Sequence, residues 1–136
     1  MTAAGATLGV GIIIALPEGS CGLAETARVA RYMAGQSAGQ CGPCVYGLPD
    51  IATDLEQLWA GRADPLLLGR IQTRASVIEG RGACRHPDGV VRLVRSALKV
   101  FAADAAAHAG GRPCPGYAAA SVMSVPPDTT MARRAS

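Results

Sequence analysis

Ser37–Cys44 reads SAGQCGPC, and what lies on either side of its two thiols decides the fold. A Cys-x-x-Cys directly after a buried strand, with more strands to follow, belongs to a βαβ unit that uses it for dithiol exchange. Between helices, the same spacing offers two soft thiolates on one loop, a grip for a metal ion or cluster. The flanks therefore choose between the two chemistries.

Upstream, from Gly22, the period is helical. Leu23, Ala27, Ala30 and Ala34 form one stripe with Val29 and Met33 beside it, and Glu25 sits in the first turn, where the helix dipole favours an acid. Downstream, after Pro49, Ile51, Leu55 and Leu58 predict a second helix, and Gly61 with Asp64-Pro65 marks its end and the start of the next. A third helix carries Leu67, Ile71, Ala75 and Ile78. The last one opens at Pro87-Asp88-Gly89 and carries Val91, Val94, Leu98, Phe101 and Ala105. Short connections suggest an antiparallel four-helix bundle.

Ahead of these helices, Leu8–Leu16 reads LGVGIIIAL, a β-branched run closed by Pro17-Glu18-Gly19. It predicts one short strand, a remnant of an upstream sheet domain. The run is well short of the ~20 apolar residues that span a bilayer. It also lacks the basic flank and cleavage site of a secretory signal. The fold class is thus mainly α: residues 1–20 strand and turn, 21–109 a four-helix domain, and 110–136, rich in Gly, Pro, Ala and Ser, a disordered tail.

Composition narrows the function. The 136 residues are 49% hydrophobic, enough for one core, but hold a single Trp and a single Phe, so small aliphatic side chains must fill it. A formal charge of +3, with arginines scattered rather than clustered, argues against nucleic acid. Five cysteines cannot all pair, which favours a cytoplasmic chain using thiols for metal or redox chemistry. Gly80–Cys84 (GRGAC) lacks the strand-to-helix glycine spacing of a phosphate-binding loop, so no FMN or NAD site is expected.

Two readings of the cysteines follow. CGPC is the tetrapeptide of thioredoxin-like oxidoreductases, and a helix N-terminus would activate its first thiol. Helices on both sides, however, leave the motif without that scaffold. The metal reading takes in Cys84 as well, on the loop between the third and fourth helices.

The order of features resembles the C-terminal iron–sulfur region of the F subunit of NADH-quinone oxidoreductase, whose loop has the pattern E-S-C-G-x-C-x-P-C-R-x-G. Ser37, Gly39, Cys41, Pro43, Cys44 and Gly47 match it, Pro49 matches downstream, Cys84 takes the place of the fourth cysteine, and Phe101 falls where the last helix carries a phenylalanine. The resemblance covers about residues 8–108. It implies a [4Fe-4S] cluster relaying electrons from flavin, a flavoprotein or other oxidoreductase subunit as partner, and a location peripheral to a membrane complex. The implied ligands are Cys41, Cys44 and Cys84. At the family's first cysteine this chain has Ala38, which cannot bind iron. Cys21 or His86 would be the substitute fourth ligand, with Cys114 in the tail a weaker one. The flavin and NADH sites of the family lie in an upstream domain, so the chain looks like a stand-alone or truncated piece, not a complete enzyme. A metal-free module docking on a flavoprotein through the edge of LGVGIIIAL is the alternative from another class.

Overall fold

The computed structural model describes residues 13–62 and 64–126. Among them are five α-helices: α1 (Gly22–Gly35), α2 (Leu48–Trp59), α3 (Leu67–Ile78), α4 (His86–Val100) and α5 (Ala102–Ala109). A π turn (Pro43–Gly47) precedes α2, and a short 3-10 turn (Pro115–Ala118) follows α5.

The closest pair is α1 on α2. Ala27, Ala30 and Ala34 leave α1 with a shallow face, into which Leu48, Ile51, Leu55 and Leu58 of α2 insert, each at most 1% exposed. Small against large lets the two backbones approach and still fill the space. On the other faces, α3 brings Leu67, Ile71, Ala75 and Ile78, and α4 brings Val90, Val91 and Val94, into the same core. A charged layer links α2 to α3: buried Asp54 accepts from Arg70 Nε at 3.0 Å and lies 2.8 Å from Arg74 Nε.

Local signals explain the helix limits. The Cys21 backbone is extended and its Sγ accepts from the Ala24 N–H at 3.4 Å, an N-cap for α1. Asp64 Oδ1 accepts from the Leu66 N–H at 2.9 Å and shapes the turn into α3. Gly61 ends α2 at φ +67, a left-handed conformation suited to glycine.

Four expectations need correction. The strand falls partly on residues outside those described, and its described end, Ile13–Pro17, has no regular structure. Ile13 is 78% exposed and finds no neighbouring strand among the described residues. The helix expected after Pro49 already begins at the Cys-x-x-Cys, because the π turn runs straight into α2.

The long last helix is broken at Phe101 (φ −102, ψ 34), and the described bundle has five helices instead of four. The ring of Phe101 lies over Gly22, where an added Cβ would be 2.2 Å from it. Ala105 and His108 of α5 are buried in the core, on the three-and-four spacing that carries the α4 seam through Phe101.

Residues 110–126, expected to be without structure, run along the bundle instead. Trp59 Nε1 donates to the Tyr117 carbonyl at 2.7 Å, and the buried Glu25 carboxylate accepts from the N–H groups of Val122 and Met123 at 3.0 and 3.1 Å. Polar anchors of this kind leave no apolar periodicity in the sequence.

Candidate metal centre

Cys41 and Cys44 sit on the turn that opens α2. Gly42 is already helical, Pro43 takes a first-turn position where its missing N–H does no harm, and the N–H groups of Cys44 and Val45 both reach the Cys41 carbonyl at 3.0 Å. Within that turn Gly47 has no room for a side chain, because a Cβ there would lie 2.7 Å from Ile78 Cγ1. The turn is thereby pressed onto the end of α3.

Gly80–Arg85 closes over it. Gly82 permits a tight bend there: a Cβ would lie 2.4 Å from Pro87 Cγ and 2.8 Å from the Cys84 carbonyl. The Ala83 N–H points to the Cys41 sulfur, and with the Cys44 N–H it lowers the Cys41 pKa below that of a free thiol. Cys44 is shifted the other way. Burial raises its pKa first, the neighbouring Cys41 thiol and the charges of Cys41 and Cys84 raise it further, and the Ser37 hydroxyl opposes them. Cys84 is exposed at the surface of this group. The loop that bears Cys84 thus meets the Cys-x-x-Cys turn through the Ala83 N–H, although the two are far apart in sequence.

The donor types suit the implied cluster: three cysteine thiols on the two loops. Thiolates from a tight Cys-x-x-Cys turn and a distant loop are a normal iron–sulfur arrangement, and backbone N–H groups already favour the thiolate form of Cys41. Ala38, at the motif position of the family's first cysteine, has no donor side chain, and its carbonyl accepts from Gln40 Nε2 at 3.2 Å.

Of the substitute ligands, His86 is beside the group. Its Nε2 donates to the Met33 carbonyl at 2.9 Å, tying the start of α4 to the last turns of α1. Cys21 is at the opposite end of α1, a 14-residue helix, which places it about 20 Å from that group. It is therefore out of reach of Cys41 and Cys44.

Cys21 joins a second constellation that sequence reasoning missed. Its Sγ lies 3.9 Å from His108 Nε2, and the ligand atoms of Cys21, His108 and Cys114 are all within 4.8 Å of one another. His108 is fully buried. Its Nδ1 lies 3.1 Å from the Leu58 carbonyl and 3.0 Å from the Trp59 carbonyl, so Nδ1 carries the hydrogen, and Nε2 accepts from the Cys114 N–H at 2.9 Å. The only sequence signal was a histidine at the end of the helical pattern six residues before a cysteine; Cys21 joins them only through the fold.

Comparison with known proteins bears on the first group. Residues 24–108 match the family described as the NADH-ubiquinone oxidoreductase-F iron-sulfur binding region. The second of the NADH-quinone oxidoreductase F subunits of Rhizobium meliloti is 30% identical over 115 residues, which is 85% of this chain and 27% of that protein. The NADH-quinone oxidoreductase F subunit of Streptomyces coelicolor is 30% identical over 113 residues, 83% of this chain and 25% of its own length. The chain thus spans about a quarter of the length of these curated relatives. No solved structure matches it significantly. Motif, helical context and an 85-residue match agree, and the chain belongs to the NADH-ubiquinone oxidoreductase-F iron–sulfur binding region family.

Proposed function

We propose that this chain is an iron–sulfur electron-relay domain that binds a [4Fe-4S]-type cluster through Cys41, Cys44 and Cys84 and works beside a flavin-dependent oxidoreductase partner. The observation that carries it is the meeting of the two thiol-bearing loops at one end of the bundle, with backbone N–H groups aimed at Cys41. A bound cluster supplies one-electron transfer. The chain's own part is to position that group and to shield it on one side through buried Cys44. With Ala38 in place of the first cysteine, one iron is left to an external ligand.

A partner face suits the same end. Tyr46 and Val77 are 72% and 53% exposed and line one apolar groove with Pro43 and Ile78, beside the thiols. Exposed apolar surface next to a redox group favours docking of another protein. No described helix is long and apolar enough to cross a membrane. Attachment to a larger complex would then be through protein contacts.

Anaerobic reconstitution with iron and sulfide, followed by electron paramagnetic resonance of the reduced protein, tests the relay. Iron that stays near zero would end it. A second reading has its own support: Cys41 is activated and Cys44 suppressed at a helix start, the asymmetry of a dithiol oxidoreductase. Cys84 separates the two. A cluster needs it, whereas disulfide turnover by Cys41 and Cys44 would survive Cys84→Ser.

A further inference from the structure

We propose that Cys21, His108 and Cys114 form a second metal site, separate from the Cys41–Cys44–Cys84 group, which holds a single zinc-like divalent cation and clamps the C-terminal segment to the bundle. Zn–S bonds of about 2.3 Å and Zn–N bonds of about 2.0–2.1 Å in a tetrahedron put neighbouring ligand atoms roughly 3.5–3.8 Å apart. Cys21 Sγ and His108 Nε2 are 3.9 Å apart, and all three ligand atoms lie within 4.8 Å, the span of one ion rather than of a cluster.

The surroundings are those of a ligating histidine. The Leu58 and Trp59 carbonyls hold Nδ1–H, fixing the tautomer that leaves the Nε2 lone pair unprotonated, where it accepts from the Cys114 N–H with Cys21 Sγ 3.9 Å away. Two thiolates and an imidazole suit zinc by softness. On loading, the two thiol protons go to solvent, and the Cys114 N–H gives up its bond to Nε2. The Cys21 sulfur can keep the Ala24 N–H as a thiolate acceptor. Cys21 is buried and Cys114 partly exposed, so the fourth position opens towards water on the Cys114 side.

The segment bearing Cys114 is fitted into place independently of any ion. A Cβ on Gly116 would be 2.2 Å from the Gly19 carbonyl, and one on Gly61 would be 3.0 Å from Pro113 Cδ. Backbone-to-backbone packing at Gly116 brings the chain alongside Gly19 and Ser20, just ahead of Cys21. A cation would join three elements there: the start of α1, the end of α5 and the C-terminal segment.

The test uses the full chain carrying Cys41→Ser, Cys44→Ser and Cys84→Ser, stripped of metal under anaerobic reducing conditions and titrated with Co2+ and then Zn2+. The expected result is about one ion per chain, with the intense visible bands and thiolate charge transfer of tetrahedral cobalt. Adding Cys114→Ser should abolish those bands while circular dichroism stays unchanged, since that residue lies outside the helices. No cobalt signal in the triple variant would overturn the proposal. So would a signal that survives Cys114→Ser, or a Cys21–Cys114 disulfide in place of bound metal. The outcome is independent of the iron–sulfur reading, because the triple variant has lost all three of that group's thiols.

Discussion

Replacing Gly47 by alanine should destabilise the protein and disturb the thiol turn without touching a cysteine. The added Cβ would sit 2.7 and 2.8 Å from Cγ1 and Cδ1 of Ile78, a β-branched side chain only 3% exposed. Overpacking of this kind costs about 1–3 kcal/mol. Alanine also gains up to ~1 kcal/mol over glycine in a helical turn, which partly hides the clash. Gly42→Ala in the same turn supplies the reference: its Cβ meets nothing within 4 Å, so it keeps the gain without the clash. The difference between the two variants should therefore be about 1–3 kcal/mol, or about 1 M in urea midpoint. In an Ile78→Ala background the difference should vanish, since both clashing atoms are gone. Equal midpoints for Gly42→Ala and Gly47→Ala would refute the packing of this turn on α3.

Other consequences are equally direct. Asp54→Ala should lower stability by about 2–3 kcal/mol in urea unfolding, because a buried carboxylate serving two guanidiniums is lost; a loss under about 0.5 kcal/mol would mean that both pairs behave as exposed ones. In metal-free protein the Cys21 thiol is pushed up to about 11 from 9.0, chiefly by burial. Its contribution should be full below pH 9.0 and lost as pH rises through about 11, because the unfolded chain releases the proton first. Cys21→Ala should flatten that part of the stability profile, and an unchanged slope would contradict it. Trp59 is the sole tryptophan and donates to Tyr117, so removing residues 112–136 should shift its fluorescence to the red. An unmoved spectrum would mean that the segment does not cover the indole.

The helices were legible in the sequence because they rest on local pattern, and the candidate thiols because they carry a motif. Leu67–Ile78 was readable from its three-and-four spacing, and Cys41, Cys44 and Cys84 stood out by motif. The break at Phe101 escaped because the α4 seam continues through it in spacing; its packing on Gly22, 79 positions away, exists only in the fold. Glu25 showed its dipole role, but not the two backbone N–H groups that it holds from the C-terminal segment. The Cys21–His108–Cys114 group has no sequence signature, since the 87 positions between Cys21 and His108 are closed only by the fold. The β-branched run ahead of Pro17 misled: strand propensity is realised only with a neighbouring strand, and Ile13–Pro17 has none among the described residues.

The central claim is that loops distant in sequence deliver their thiols to one iron–sulfur group. Iron and sulfide content of the anaerobically reconstituted full chain, compared with Cys84→Ser, measures this most directly. Cluster-level iron with a paramagnetic signal on reduction, both lost in Cys84→Ser and retained in Cys21→Ser, is the predicted result. Iron binding indifferent to Cys84, or lost with Cys21, would contradict it.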